Sequence, residues 1–168
     1  MAQFDHVLQA FTVFTNGFGK AGSGEKCNLP KLEKHTEMFR GGGMRMGRTV
    51  ALGYKEIKFD ADFSSFDPQV MALGGLSVGR STQFSVTALL DGDRNQQVKA
   101  NLQMRGEIVK LDPGMWDAGK KAMLKMEASL VAVRLRIGSA LVWDIDIEND
   151  VIVINGVDEM AALLSALA

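Results

Sequence analysis

Three glycines near the start of the chain have the spacing of a phosphate-binding loop. Gly17, Gly19 and Gly22 spell G-x-G-x-x-G directly after an apolar run. In dinucleotide-binding proteins the third glycine of this pattern opens a helix, whose N-terminus holds the pyrophosphate. The residues that follow here include further turn formers and Pro30, and these disfavour a helix. The pattern therefore predicts a loop that joins two strands, and nucleotide binding is the weaker interpretation.

Alternating acids near the C-terminus have the spacing with which a calcium loop begins. Asp144, Asp146 and Glu148 are each separated by one residue, but the sixth and twelfth positions of such a loop require Gly and Glu. The chain has Asn149 and Asn155 at those positions. Because apolar residues alternate with the acids, a strand with one wet face is the simpler interpretation.

The remaining composition gives no positive indication of catalysis. The chain has two histidines and one cysteine, and it shows no nucleophile elbow and no Ser-His-Asp set. The single Cys27 also excludes an internal disulfide. The sequence therefore predicts a protein that is not an enzyme and that has no catalytic, cofactor-binding or metal-ligating residues.

A basic, glycine-rich segment at residues 40–48 is the strongest candidate for a contact with another molecule. Its arginines could neutralise phosphate charge, but no aromatic residues interleave them to stack on bases. The alternative is a long hairpin tip that becomes ordered when it meets a partner. The interface residues predicted here are Arg40, Gly41, Gly42, Gly43, Met44, Arg45, Met46 and Arg48.

Charge is unevenly distributed along the 168 residues, although the net charge is only −1. Residues 20–48 contain seven basic and three acidic side chains, whereas residues 139–168 contain six acids and no Lys or Arg. Opposite charge in two parts of one chain favours head-to-tail or side-by-side self-assembly. Two unrelated solvated faces would explain the same pattern equally well.

Period-two alternation dominates the middle of the chain and predicts antiparallel strands with one wet face each. Runs at residues 57–63, 84–90, 98–108 and 141–148 alternate in this way, and the second and third are expected to pair as a hairpin. The fold class predicted is mainly β, an antiparallel barrel or sandwich with one short inner helix and a C-terminal helix.

One long run changes its apolar face halfway along. Between residues 120 and 138 the apolar positions are even up to Leu130 and odd from Val131 onward, where Arg134 and Arg136 occupy the even positions. A strand that changes faces bends, bulges or crosses from one packing partner to another. Leu130, Arg134 and Arg136 are therefore predicted at an interface with a neighbouring subunit.

The helices and the domain organisation complete the predicted architecture. Asp67 and Pro68 are an N-cap and a first helical residue, and residues 157–168 have a helical apolar stripe. We expect a single domain over residues 1–168, with neither a signal peptide nor a membrane anchor.

Motifs in a fixed order along the whole chain carry a family resemblance. The chain resembles the major tail tube proteins of contractile-tailed bacteriophages and of R-type bacteriocins. The motifs are VFTNG from Val13, LPKL from Leu29, TEMFRGGGM from Thr36, MRG from Met104, DPG from Asp112 with Trp116 and Ala118-Gly119, and INGVD from Ile154.

This resemblance implies a structural subunit of the inner tube of a contractile tail. Hexameric rings with shared strands would stack into a tube that sheath contraction drives through the host envelope, and double-stranded DNA would pass through the lumen. The wet strand faces at residues 99–107 and 144–148 are both eligible to line this lumen. The implied partners are other copies, the sheath, the baseplate and tail-terminator proteins and a tape measure protein in the lumen. The implied location is the virion tail, assembled in the host cytoplasm.

The resemblance also allows one alternative function and implies one further group of contacts. The alternative is the tube of an R-type bacteriocin or secretion-type injection machine without DNA in the lumen. Lys20, Lys26 and Cys27 are predicted where the sheath or a neighbouring ring would contact the early glycine-rich loop.

Overall fold

Antiparallel strands form almost all of the regular structure in the computed structural model, which describes residues 7–16, 18–19, 24–66, 68–73, 79–91 and 97–167. This confirms the mainly β fold class. In chain order the elements are β1 (Val7–Thr15), β2 (Phe18–Gly19), β3 (Gly24–Asn28), β4 (Lys34–Phe39), β5 (Arg48–Tyr54), β6 (Ile57–Phe63), α1 (Pro68–Leu73), β7 (Thr82–Asp91), β8 (Gln97–Asp112), β9 (Leu124–Ile137), β10 (Ala140–Asp146), β11 (Val151–Ile154), β12 (Val157–Asp158) and α2 (Glu159–Leu167).

Ten of these strands form one branched antiparallel sheet. Its main path runs β12-β11-β10-β9-β8-β7-β1-β2, while β6 joins β9 from the side and β3 joins β6. The hairpin of β7 and β8 predicted from the alternation is confirmed, with Thr82 opposite Gly106 and Asp91 opposite Gln97. The antiparallel part of the prediction is confirmed, but the described strands form an open sheet and do not close into a barrel.

The branch lies on β9, which changes partner in the middle. Its first half, up to Leu130, pairs with β6, and its second half, from Ala132, pairs with β10. Val131 lies between the two registers as a bulge opposite β8. The buried positions change from even, such as Met126 and Ala128, to odd at Val133. The face change in the sequence is therefore a true exchange of partners, because alternation must slip by one residue at a bulge.

The bulge requires a glycine on the neighbouring strand. Gly106 pairs with Leu130 beside the bulge, and a Cβ atom at Gly106 would lie 2.1 Å from the backbone oxygen of Ser129. No side chain fits at that distance, so the two backbones approach closely only because residue 106 has none.

The hydrophobic core lies between the two halves of the branched sheet. Phe59 of β6 and Phe84 of β7 are fully buried, and their rings meet at 5.9 Å between centroids. Val70 of α1 is also fully buried, so α1 is the inner helix that was predicted, and Pro68 is its first residue. Each such aromatic side chain contributes about 1.5–3 kcal/mol by leaving water, and these contacts hold the two halves together.

Two details of the predicted elements are wrong. Leu130 was expected at a subunit interface, but it is only 2% exposed and belongs to the core of its own chain. Val157 was expected on the apolar stripe of the terminal helix, but it lies in β12 opposite Ile154 and is exposed. The helix begins two residues later because Asp158 caps it, accepting hydrogen bonds from the backbone N–H groups of Met160 and Ala161.

The early glycine pattern is followed by a strand and not by a helix. β1 and β2 form a tight hairpin in which Thr15 lies opposite Phe18, and Asn16 at the turn has φ 48°. Gly17, Lys20 and Gly22 lie outside the described residues, and β3 begins at Gly24. The loop interpretation of this segment thus agrees with the strands that flank it.

Candidate assembly interface

A two-stranded hairpin separate from the main sheet contains the segment predicted to mediate assembly. β4 and β5 pair only with each other, with Lys34 opposite Tyr54 and Phe39 opposite Arg48. They make no extensive contact with other described strands or helices. An isolated hairpin of this kind is marginally stable in water, so its conformation needs support at the base or from a partner.

Large apolar side chains are exposed along this hairpin. Met38 is 79% exposed and Met46 is 82% exposed, and Phe39 and Leu52 are also more than half exposed. Single exposed apolar residues are ordinary, but a cluster on one projecting element is typical of a surface that another protein covers. Methionine adapts its shape to a partner more easily than branched residues do.

The tip of the hairpin is a defined turn. The N–H of Met44 donates a hydrogen bond to the carbonyl oxygen of Gly41 over 3.1 Å, and Gly43 between them has φ 86°. A positive φ at this position is the reason for a glycine in the turn. The guanidinium Nε of Arg40 also donates to the Met44 carbonyl oxygen at 3.1 Å. The glycine run therefore builds a specific turn that presents the surrounding side chains.

The base of the hairpin is tied to the terminal helix. The Tyr54 hydroxyl donates a hydrogen bond to the Glu159 carboxylate, the first residue of α2. This hydrogen bond and the nearby carboxylate charge raise the pKa of Tyr54. Lys55 forms an ion pair with Glu33 at 3.2 Å across the hairpin base. The hairpin and the terminal helix are therefore in direct contact.

A second candidate surface is the wet face of the sheet formed by β7, β8, β9 and β10, which we call the polar face. Ser85, Gln103, Arg134 and Asp144 lie side by side in one row across the four strands. The sequence left open whether residues 99–107 or residues 144–148 would line a channel. Residues 99–105 and residues 144–148 lie on this one surface, whereas Glu107 lies beyond the bulge, opposite Ser129 in the part of β9 that pairs with β6.

Arginine–carboxylate pairs organise the polar face. Arg134 and Asp144 face each other on neighbouring strands and form two hydrogen bonds, of 3.1 and 2.8 Å. These contacts raise the pKa of Arg134. A bidentate pair of this kind is more directional than a single lysine contact.

A second arginine crosses an intervening strand to reach its acids. Arg105 of β8 contacts Glu148 at 2.7 Å and Asp146 at 3.7 Å. The residue between Arg105 and Asp146 on β9 is Ala132, whose small side chain leaves room for them to meet. Hydrogen bonding from the Asn149 side chain is the main reason that the pKa of Asp146 is lowered. The acids once considered as calcium ligands are therefore ion-pair partners, and no group of three potential ligands occurs among the described residues.

Comparison with known proteins shows the family of this chain. The profile of the phage tail tube protein FII family matches residues 5–167. The chain belongs to the phage tail tube protein FII family. It is also similar to the tail tube protein of Escherichia phage P2, with 27% identity over 158 residues that cover 91% of each chain.

Solved structures show that the fold of this tail tube chain is shared with contractile injection systems. A chain of the sheath/tube terminator of an extracellular contractile injection system, PVC, matches with a TM-score of 0.59 and 10% identity, over 81% of this chain and 99% of that chain. A chain of the PVC sheath-tube complex gives a TM-score of 0.54 and 10% identity, over 75% and 87% of the two chains. A chain of the anti-feeding prophage baseplate gives 0.51 and 14%, over 77% and 91%.

The family confirms the resemblance identified from the motifs, and with it a structural role as a tail tube protein of a contractile phage tail. The family is that of a structural protein, in agreement with the interpretation that this is not an enzyme. Within the part of the chain that the structure describes, no helix has both the length and the apolar character needed to cross a bilayer.

The predicted contact residues occupy three different environments. The tip residues at 40–48 are exposed, except for the half-buried Gly41, and Arg134 and Arg136 are exposed on the polar face. Lys26 is exposed on the outer side of β3, whereas the next residue, Cys27, packs partly against the core. Burial raises the pKa of the Cys27 thiol. Lys20 lies outside the described residues.

Sequence reasoning missed two exposed apolar groups. Met38, Phe39 and Leu52 extend the apolar surface of the hairpin beyond its glycine-rich tip, and two adjacent large apolar residues before the glycine run were the available signal. Met115 and Trp116 are also highly exposed, and Trp116 packs edge-on against Phe66 at 5.3 Å. The residues around Met115 and Trp116 have no regular apolar period, so composition was the only signal.

Proposed function

We propose that six copies of this chain close into a ring and that rings stack into the tube of a contractile tail, with the hairpin of β4 and β5 mediating contacts between copies. The observation that carries this proposal is the hairpin itself. It projects from the main sheet and exposes Met38, Phe39, Met46 and Leu52 to water. A second copy that covered these side chains would remove apolar surface at about 25 cal/mol per Å².

Unpaired strand edges support closure through neighbouring copies. The outer edge of β1 is paired only near its C-terminal end, where Phe14 and Thr15 face β2, so the segment from Val7 to Val13 has one free edge among the described strands. Val7 and Leu8 are also exposed there. An unpaired edge of this kind accepts a strand from another chain, which would extend the open sheet into a shared wall.

The polar face is the surface that we assign to the lumen. Its charges are nearly balanced, because Arg105 and Arg134 are paired with acids. Lys99 and Arg136 have no ion pair with a described residue. Affinity for DNA rises with the number of phosphates that cations neutralise. Because Arg105 and Arg134 are already paired with acids, the affinity of the polar face for DNA is reduced. This favours passage of double-stranded DNA, after release of a tape measure protein that fills the same lumen.

The opposite side of the molecule is the surface that we assign to the sheath. On the outer faces of β3, β6, β9 and β8 a row of alternating charge runs through Lys26, Asp62, Lys125 and Asp112. Such a mixed-charge surface suits a partner that binds reversibly and must be released on contraction. Baseplate and tail-terminator proteins would contact the two ends of the tube. The assembled location is the virion tail, after assembly in the host cytoplasm.

Deletion of residues 41–46 tests the role of the hairpin in assembly. We expect the variant to remain a folded, soluble subunit by circular dichroism but to form no tubes in negative-stain microscopy, whereas the wild-type protein forms tubes with sixfold end views. The matched control is Met115→Ser, which reduces apolar exposure in a different loop. Normal tube formation by the deletion variant would contradict the proposal.

Cysteine labelling of assembled tubes tests which face lines the lumen. In a Cys27→Ala background, we place a cysteine on the polar face (Gln103→Cys) or on the outer face (Asn28→Cys). In tubes with blocked ends, a bulky polyethylene-glycol maleimide should label residue 28 and spare residue 103, while the same reagent labels both in the dissociated subunit. Equal labelling of both positions in tubes would exclude the assignment.

A further inference from the structure

We propose that the hairpin tip of one subunit docks on the turn at residues 147–150 of another subunit. This inference rests on the proposed tube function and names the surface that receives the tip. The tip combines basic and apolar groups, and the receiving turn combines an acidic group with an exposed apolar side chain.

The tip carries charge that is unpaired among the described residues. Arg40, Arg45 and Arg48 are exposed, and none of them has an ion pair with a described residue. The described salt bridges of the hairpin are confined to its base, at Lys55 and Glu33. Beside these arginines Met46 is 82% exposed. A complementary surface must therefore supply carboxylates and an apolar contact together.

The receiving turn offers both groups in a fixed conformation. Ile147 is 49% exposed, and its backbone N–H donates to the Val131 carbonyl oxygen at 2.8 Å. The turn is closed by hydrogen bonds from Glu148 and Asn149 to the Asp146 carboxylate. A preorganised turn loses little conformational freedom when a partner docks on it.

Asp150 is the carboxylate that this turn leaves for a partner. Of the acids around it, Asp144 is bound by Arg134, and Asp146 and Glu148 are bound by Arg105. Asp150 is exposed and has no ion pair with a described residue. It lies in the turn between β10 and β11, where its backbone is left-handed with φ 53°.

Other acidic surfaces are less suitable for the arginines of the tip. On the outer face, Asp62 and Asp112 lie opposite Lys125 in the alternating row, so their charge is already balanced by neighbours. Glu159 accepts the Tyr54 hydrogen bond, and Asp158 caps α2. The turn at residues 147–150 is the described acidic surface that keeps both a free carboxylate and an exposed isoleucine.

The geometry of the hairpin makes this contact intermolecular. Tyr54 at the base is held at α2, and the seven residues of β5 carry the tip about 20 Å away at roughly 3.3 Å per residue. No described hydrogen bond or ion pair joins the tip to the body of its own chain. A contact between two different patches is heterologous, and repetition of such a contact produces rings or stacks rather than closed dimers.

Charge reversal on both surfaces tests the pairing. Arg45→Glu should raise the critical concentration for tube assembly about tenfold, and Asp150→Asn, which tolerates the left-handed backbone, about threefold to fivefold. Asp150→Lys should act like Arg45→Glu, and the combined Arg45→Glu/Asp150→Lys protein should return to within about threefold of wild type. Sedimentation at 50 mM salt, with circular dichroism as the check on folding, measures all four proteins.

The control for a local change of charge is Asp117→Lys, because Asp117 lies in another exposed turn and pairs only with Lys120. This variant should assemble as wild type does and should give no rescue of Arg45→Glu. A combined Arg45→Glu/Asp150→Lys protein that assembles no better than Arg45→Glu alone would overturn the docking inference. Failure of the wild-type protein to form tubes would instead refute the proposed tube function.

Discussion

Gly106→Ala is the substitution that most directly tests the partner exchange of β9. The new Cβ would lie 2.1 Å from the Ser129 carbonyl oxygen and 2.9 Å from the Leu130 Cα atom. Both obstacles are backbone, so a side-chain rotation cannot relieve the clash. The two strands must separate by about 1 Å, which weakens the ladder beside the bulge and shifts the buried Leu130.

The expected loss of stability combines overpacking with damaged hydrogen bonds. Overpacking of a tight site costs about 1–3 kcal/mol, and each weakened backbone hydrogen bond about 0.5–1.5 kcal/mol, so we expect a total of about 3–5 kcal/mol. A domain of this size loses about 2–4 °C in Tm per kcal/mol, which corresponds to a decrease of about 10 °C. This is a large fraction of the stability of a typical domain.

Urea unfolding of the dissociated subunit, followed by circular dichroism, measures this loss. The matched control is Gly24→Ala, because Gly24 also lies in a strand but its added Cβ would meet only the Val13 and Phe11 side chains, at 3.5 and 3.6 Å. The control should be neutral or slightly stabilising. If Gly106→Ala differs from wild type by less than about 0.5 kcal/mol, the close approach of the two strands is not the constraint that we infer.

Three further predictions concern individual side chains. Because Arg134 and Asp144 are partly exposed, a double-mutant cycle of Arg134→Gln and Asp144→Asn in urea unfolding should give a coupling of about 0.5–1 kcal/mol, and zero coupling would remove the pair as an organiser of the polar face. The pKa of Asp146 is lowered in the folded state, so the ionised carboxylate stabilises the fold at pH values above the unfolded pKa near 4, and this stabilisation is lost as pH falls through the folded pKa. Asn149→Ala should raise the folded pKa of Asp146 in an NMR titration. An unchanged pKa would contradict the inference that the Asn149 hydrogen bond lowers it. Since burial raises the pKa of Cys27, its alkylation at pH 8 should be slower than that of a free thiol and should accelerate in urea, whereas a fast reaction in the native subunit would show that the thiol is accessible.

Local periodicity predicted most of the fold because the alternation of polar and apolar residues within a strand shows which of its faces is exposed and which is buried. The alternation at residues 98–108 and 141–148 located β8 and β10, and the slip near Leu130 located the bulge of β9. The partners of β9 were not predictable in this way. The slip in the alternation shows that the apolar residues of β9 move to the other face of the strand. Whether another strand of the same chain or a neighbouring subunit covers that face depends on contacts distant in sequence.

The candidate site was predicted less completely for the same physical reason. Residues 40–48 were recognised as a candidate contact because a mixture of glycine, methionine and arginine fits neither the alternation of a strand nor the composition of a core. The exposure of the flanking Met38, Phe39 and Leu52 was not predicted. Residue type alone does not distinguish an apolar side chain that is exposed on a projecting hairpin from one that is buried in a core. That the polar residues of four strands form one continuous surface depends on how these strands pair. This pairing cannot be read from the pattern of any single segment.

The exchange of partners by β9 explains how one small chain can form a wall with two wet faces. Its second half holds the polar face together through Arg134, while its first half carries Lys125 and Glu127 on the outer face beside β6. The core that joins Phe59 to Phe84 lies between these faces. Packed sheets are separated by about 10 Å, so the two wet faces can lie on either side of a single core layer. Under the assignment proposed above, the tube would present arginine–carboxylate pairs to its lumen and an alternating lysine–carboxylate row to its sheath. Because the two faces share one strand, a substitution that shifts β9, such as Gly106→Ala, should disturb both surfaces at once, whereas Arg134→Gln should disturb only the polar face.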